Sequence, residues 1–358
     1  MEPITFDNYR DYDAINYSKL KTLSDHPRKI HEERDWSDGL EFGDALDLLV
    51  FTPDLFREEY YVGNMDNEPS DRVKNIMEDV VRNYGEEITD DHVIEAANRE
   101  GYGESWNRNT RLNKILRTYG GARYARMLLD SRGKRVMSTE RHMQITQAVE
   151  TLKKHEWTKH LLFDDLPDHM QRFTQFPMLS FGKPLYKSLF DLLIVDHKKK
   201  KFYPWDLKNT GVPVHRFRSQ FVSYQYYLQA ALYSYVLGSV IAEAEEGAPV
   251  QEFIPLDFNP SGYKVDNFGF IVISSQDTVN PMRYKCTESD LYAGMSGGIL
   301  SRGREVKGFI KLTEEYLWHK KNDLWSYPYE VYKGNGEVDI DVFKSPMEKM
   351  SKELGGIF

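Results

Sequence analysis

The stretch from 169 to 243 constrains the fold more than any other part of this chain. Residues 171–177, 185–195 and 201–208 read as successive strands. The second and third are joined only by the basic residues 197–201, which predicts a hairpin. A helix is then expected over 216–243, where Phe217, Phe221, Tyr224, Leu228, Leu232 and Val236 recur at helical spacing. A further strand is expected at 268–273 and a return to helix over 288–322. Helix, strand cluster, helix and strand describe an α/β core.

The first half reads as helices packed against or above that sheet. Residues 14–24 suit a short helix with Ser18 near its start, stopped before Pro27, and 41–51 suit a mostly buried helix stopped before Pro53. Residues 66–100 are polar and acidic and suit several surface helices. Residues 101–135 are basic with interleaved aromatics. Met143, Ile145, Val149 and Leu152 are spaced for one helix over 139–162. We expect one elaborated domain over 1–358, comprising a mainly helical part (1–165), a core of sheet and helices (166–325) and a C-terminal extension (326–358).

A chain of 358 residues can bury a sizeable core. Its single cysteine, Cys286, excludes an internal disulfide framework and any Cys-rich zinc or iron–sulfur site. No run approaches the ~18 apolar residues of a membrane span, and the start of the chain has neither a basic nor an apolar leader. The expectation is a soluble cytoplasmic protein. The net charge of −9 argues mildly against a nucleic-acid partner, but its distribution argues the other way. Residues 183–218 carry seven Lys and two Arg against three Asp, and residues 101–135 carry nine Lys and Arg against two acids.

The chemistry concentrates in the predicted hairpin. Asp206 and Lys208 are two apart on a strand and share a face, with Trp205 and Leu207 pointing the other way. Asp191 interrupts an apolar run, where a lone carboxylate is costly unless it meets a cation. The hairpin can bring Asp191 beside Asp206, and two adjacent carboxylates repel unless a divalent metal lies between them. Mg²⁺ prefers oxygen ligands, which both carboxylates, the Leu207 carbonyl and waters supply. Lys208 then has a phosphate or an attacking water to act on. The bland alternative is an ion pair on an edge strand. In the following helix, Gln229 and Tyr233 lie one turn apart on one face.

Asp191, Asp206-x-Lys208 and Gln229-x-x-x-Tyr233 in this order resemble the PD-(D/E)XK nuclease core of the RecB and RecE type, and further the phage and prophage RecE-like exonucleases. Asn16-Tyr17-Ser18-Lys19-Leu20…Pro27 is similar to that family's N-terminal opening, and Gly43-Asp44-Ala45-Leu46-Asp47-Leu48-Leu49-Val50-Phe51-Thr52-Pro53 to its first active-site helix. Asp47 stands where the family usually has a metal-binding His. The literal Pro before Asp191 is absent. The resemblance, spread over about 14–322, implies a restriction-endonuclease-like fold, a mixed central β-sheet flanked by helices with a helical N-terminal elaboration. It implies Mg²⁺, or Mn²⁺ in its place, held by Asp47, Asp191, Asp206 and the Leu207 carbonyl. Lys208 would position the nucleophile or contact the scissile phosphate, and Gln229 and Tyr233 would orient substrate or water. The implied activity is 5′→3′ exonucleolysis from double-stranded DNA ends, leaving single strand for an annealing recombinase partner. A ring-shaped homo-oligomer and the cytoplasm of a bacterial host are implied too, with no membrane. An endonuclease, and a non-catalytic DNA-binding protein on a degenerate nuclease fold, are the alternatives.

Candidate DNA contacts are Arg108, Arg111, Arg117, Arg123, Lys187, Arg216, Arg218 and Gln225, with Trp106, Tyr119 and Tyr124 available to stack on bases. A solvated basic helix with aromatics turned inward is the competing reading. His155 and His160 are five apart, not the four of a zinc-protease helix, and no Walker A sequence occurs. Gly294-Met295-Ser296-Gly297-Gly298 matches Gly-x-Ser-x-Gly, but no strand is expected before it.

Overall fold

The computed structural model describes residues 2–32, 38–63, 69–131, 133–300 and 303–338. The N-terminal elements are α1 (Tyr17–Asp25), α2 (Asp38–Phe51), α3 (Pro53–Glu59), β1 (Tyr60–Gly63), α4 (Asp71–Tyr84), α5 (Asp90–Arg99), α6 (Arg108–Asn113), α7 (Gly121–Ser131), β2 (Arg135–Ser138), α8 (Thr139–Lys154) and α9 (Lys159–Leu162). The core continues with β3 (Met170–Leu179), β4 (Lys187–Asp196), β5 (Lys201–Thr210), α10 (Phe217–Ser223), α11 (Tyr226–Glu245), β6 (Lys264–Val265), β7 (Gly269–Ser274) and β8 (Met282–Lys285). Then come α12 (Glu288–Ser296), β9 (Gly298–Ile299), β10 (Glu305–Val306), α13 (Phe309–Asn322) and α14 (Tyr329–Lys333).

The central sheet is mixed, in the order β3-β4-β5-β7-β8, with β6 also beside β5. β3, β4 and β5 form an antiparallel meander, β5 pairs with β7 in parallel, and β8 returns antiparallel. The parallel pairing needs a long crossover, which α10 and α11 provide. Side-chain alternation splits the core between the two faces. Leu193, Val195, Phe202, Phe270 and Val272 pack with Leu228, Leu232 and Val236 of α11. Leu192, Ile194, Trp205, Leu207, Ile271 and Ile273 pack with Phe42, Ala45 and Leu46 of α2 and Ile145, Ala148 and Val149 of α8. Each Val, Leu, Ile or Phe side chain among these contributes about 1.5–3 kcal/mol on burial. A third core, built from Val73, Ile76, Met77 and Val80 with Val93, Ala96, Ala97, Leu112, Ile115 and Ala125, holds α4 to α7 together. Among the described residues no helix is long and apolar enough to cross a membrane.

The architecture is therefore α/β with a mixed central sheet flanked by helices. Several local expectations are corrected. The helix expected over 216–243 is two helices, because Gln225 adopts φ 57°, ψ 37° and ends the first turn series. The helix expected over 139–162 stops at Lys154, and Met143 is 65% exposed rather than part of the core stripe. The N-cap of α1 is Asn16, whose side chain accepts from the Lys19 N–H, with Ser18 inside the helix. The helix expected over 288–322 is interrupted by the β9–β10 pair. Of the acidic stretch 66–100, residues 66–68 lie outside the described residues, as do 339–358 of the C-terminal extension.

Candidate active site

β5 is a central strand, flanked by β4 and β7, so the Asp206–Lys208 pair is not an ion pair on an edge strand. The β4–β5 ladder ends at Leu192 opposite Trp205, and one step further the same register sets Asp191 opposite Asp206. On the other flank of Asp191, Gln175 of β3 has φ 46°, so the sheet is distorted on both sides of this residue. The Asp191 carboxylate turns into the gap. Its Oδ2 accepts from the Leu207 N–H at 2.9 Å, taking the place of a ladder partner.

Asp206 is 2% exposed and held from two sides. Its Oδ1 accepts from Gln229 Nε2 of α11 at 2.6 Å, and its Oδ2 is 2.5 Å from Lys208 Nζ. The Lys208 ammonium also lies 5.0 Å from the centroid of the Tyr226 ring. Burial works to lower the Lys208 pKa, but the carboxylates of Asp206 and Asp191 reverse this and hold it above its ordinary value. The side chain is therefore a fixed cation at neutral pH.

Asp47 of α2 belongs to the opposite helical layer and lies within electrostatic range of Asp191, Lys208 and Asp206. Burial first, and then the charge of Asp191, push its pKa well above the carboxylate range. Asp191 is pushed up by burial and by Asp206, whose carboxyl is in hydrogen-bond contact with it. A purely structural role for Asp47 would require an arginine or a backbone N–H against it. Among the described residues neither is bonded to Asp47, whereas its neighbour Asp44 is satisfied by Arg135 at 2.8 Å and the Tyr60 hydroxyl at 2.9 Å.

Tyr233 is buried behind the carboxylates. Burial, Tyr9, Asp206 and Asp191 all raise its pKa. Three further tyrosines belong to the site. Tyr226, with Gln229 and Tyr233, completes one face of α11 at spacings of three and four, a pattern already visible in the sequence. Tyr9 has its side chain in hydrogen-bond contact with Tyr233 and Asn16. Tyr17 donates to the Tyr224 carbonyl at 2.6 Å. The contact of Tyr9 is long-range and had no sequence signal.

The donors suit a hard divalent cation in kind: all are oxygens, and like charges crowd one another with a single lysine between them. In arrangement they stop short of a cage. Among the described residues no three His, Cys, Asp or Glu side chains converge closely enough to ligate one ion, and Asp206 is latched to Lys208.

Two of the expected DNA contacts are corrected. Lys187 is 1% exposed and gives its three N–H groups to the carbonyls of Tyr9 (2.5 Å), Arg10 (3.0 Å) and Tyr12 (2.8 Å). Arg111 is buried, with Nε on the Tyr102 carbonyl at 2.5 Å and Nη1 on Asn98 Oδ1 at 2.6 Å. Both cations serve the fold, because buried carbonyls at chain turns need donors. Arg108 is ion-paired with Asp91. Trp106 lies under the Lys114 ammonium at 3.7 Å, and the Tyr124 hydroxyl donates to Glu78 at 2.7 Å, so neither stands ready to stack on a base. Arg117, Arg123, Arg216, Arg218 and Tyr119 are exposed. Gln225 is partly buried and donates to Asp25 Oδ1 at 3.1 Å. Ser296 ends helix α12, which excludes a nucleophile elbow there.

No family model matches the chain, and no curated protein matches it. Among solved structures it is similar to a candidate exonuclease from Eubacterium rectale, at 12% identity over 85% of this chain and 96% of that one, with a TM-score of 0.33. A likeness at this level fixes neither the family nor the chemistry.

Proposed function

We propose that this chain is a metal-dependent deoxyribonuclease that hydrolyses DNA phosphodiesters from duplex ends. The observation that carries the reading is the carboxylate pair Asp191–Asp206 in register at a broken ladder, with Lys208 and Gln229 fixed on Asp206. Asp47, Asp191, Asp206 and the Leu207 carbonyl would hold Mg²⁺ or Mn²⁺. When bound, the cation supplies Lewis acidity to the phosphoryl oxygen and makes water more acidic. Lys208, kept charged by its carboxylate neighbours, offers N–H donors to a phosphate oxygen. Gln229 orients Asp206, and Tyr226 and Tyr233 pack the cation and carboxylates in place. Removal from the 5′ strand, a recombinase partner that takes the single strand, and a homo-oligomeric ring are the finer parts of this proposal.

The test is digestion of end-labelled linear duplex and of closed circular DNA, with Mg²⁺ and with chelator. Loss of linear DNA alone, abolished by chelator and by Asp206→Ala, is expected. Cutting of circles at a similar rate would make it an endonuclease. One observation favours a non-catalytic DNA-binding protein instead: as they stand, the described carboxylates do not form a three-ligand cluster. Calorimetry with Mn²⁺ bears on the choice: no saturable site that depends on Asp191 and Asp206 would favour the non-catalytic reading.

A further inference from the structure

Asp191 is held by neither of the ladders beside it. The β3–β4 register steps from Thr174 opposite Leu192 to Phe176 opposite Phe190, and the β4–β5 register ends at Leu192. A group that must act on a substrate needs a fixed support, since a misplacement of about 1 Å can cost about 10²-fold in rate. The Leu207 N–H supplies one restraint from β5. Tyr233 of α11 supplies another, by a hydrogen bond between its side chain and the Leu189 backbone, two residues before Asp191.

The side chain that meets Tyr233 comes from the first residues of the chain. The segment from Ile4 to Asn16 holds no helix or strand, yet it is tied down along its length. The Ile4 N–H donates to the Phe253 carbonyl at 3.0 Å, the Ile15 N–H to the Leu185 carbonyl at 3.0 Å, and the Lys187 N–H to the Ile15 carbonyl at 2.8 Å. Thr5 and Asn8 close a turn on each other at 2.8 and 3.2 Å. Between these anchors the buried Lys187 ammonium gathers the carbonyls of Tyr9, Arg10 and Tyr12, and it lies 4.8 Å from the centroid of the Tyr9 ring. A buried cation is costly unless fixed dipoles surround it, so this arrangement has one favourable geometry. Only Ile4, Ala14 and Leu179 are fully buried in the small core beneath the segment, so apolar burial is a minor part of what places it. The Tyr9 side chain then reaches Tyr233 and Asn16. Asn16 Oδ1 accepts from the Lys19 N–H, which leaves its Nδ2 as the donor to Tyr9.

We propose that Ile4–Asn16 is a positioning strap for the carboxylate site, in which Tyr9 holds Tyr233 and, through the Leu189 backbone, the part of β4 that presents Asp191. Tyr9 is thus a positioning residue acting through Tyr233. The effect on cleavage rests on the nuclease reading, whereas the effect on β4 does not. A segment that only filled space would need the Tyr9 ring beside the Lys187 ammonium and not its hydroxyl. Removing the hydroxyl alone therefore separates positioning from packing.

The test is Tyr9→Phe in the full chain. Hydrogen exchange read by mass spectrometry, in chelator and without DNA, should show the β4 peptide spanning Leu189–Asp191 exchanging about tenfold faster than in wild type, with the β7 peptide unchanged. Tyr233→Phe should give the same pattern, and the double variant should go no further than Tyr233→Phe alone. On end-labelled linear duplex with Mg²⁺, kcat should fall about tenfold or more while KM stays within about twofold. Asn16→Ser keeps a capping oxygen for α1 but loses the amide that meets Tyr9, so the same exchange pattern in it carries the test if Tyr9→Phe does not fold. Unchanged exchange in β4, an equal rise in β7, or a double variant that adds the two effects overturns the proposal. So does an active enzyme whose kcat is indifferent to Tyr9→Phe. Exchange needs no hydrolysis, so an inactive wild type would sink the nuclease reading while the β4 peptide still decides the strap.

Discussion

At the scale of single residues, the site is a set of buried charges that depend on one another. Asp206 has both oxygens engaged, by Gln229 and Lys208, inside the α11 face of the sheet. Gln229→Leu leaves Oδ1 buried without its donor and should cost about 1–3 kcal/mol of stability, measured by chemical denaturation. Lys208→Met should lower cleavage at least ~10²-fold, the scale of losing one preorganised electrostatic contact, while leaving the fold intact by circular dichroism. Lys187 gives the opposite pattern. Its ammonium satisfies three carbonyls of the N-terminal segment that brings Tyr9 to Tyr233. Lys187→Met should destabilise the protein by on the order of 3 kcal/mol and change the salt dependence of DNA binding little. Asp266 offers a clean pH test. Burial alone would raise its pKa, but Lys201 at 2.8 Å and Lys285 bring it below the ordinary value. A depressed carboxylate stabilises the fold above the unfolded pKa of ~3.9 and loses that stability as pH falls through the folded value. Thermal denaturation of Asp266→Asn should therefore fall less steeply on acidification below about pH 4 than wild type.

At the scale of elements, the decisive features are interruptions. The β4–β5 ladder stops one step before Asp191, and the crossover helix breaks at Gln225. The first interruption gives Asp191 a backbone donor and a carboxylate neighbour. The second separates α10 from the helix bearing Tyr226, Gln229 and Tyr233. Both occur within runs whose apolar spacing is continuous, so periodicity alone joins what the chain divides. Periodicity did reveal the meander and α11, because half-buried strands and packed helices must repeat at about 2 and 3.6 residues. Met143 obeys the same signal: it is two residues from Ile145, on the far side of α8, and faces solvent, while Ile145, Val149 and Leu152 at i, i+4 and i+7 face the core.

At the scale of the whole molecule, three cores divide the labour. The sheet with its two helical layers carries the carboxylates, and α4 to α7 form a cluster with a core of their own. The exposed cations are spread over both parts, with Arg117 and Arg123 on the helical cluster and Arg216 and Arg218 at the start of α10. If these face one duplex, Arg216→Glu with Arg218→Glu should weaken DNA binding and reduce the slope of log K against log salt by about 0.9 for each phosphate that is no longer neutralised. Fluorescence anisotropy over a salt series measures it, and an unchanged slope would remove this face from the DNA path.

By itself, the sequence determined the α/β class, the strand and helix order of the second half, and the pairing of Asp206 with Lys208 on one strand face. These follow from local periodicity and from the high cost of a carboxylate in an apolar run. Only the tertiary structure decided that the ladder ends beside Asp191 and that Asp47 lies within electrostatic range of it from the opposite helical layer. It also decided that Lys187 and Arg111 are structural cations rather than phosphate contacts. Charge and spacing are properties of a segment. Whether a cation meets solvent or a ring of backbone carbonyls depends on which distant segment packs over it.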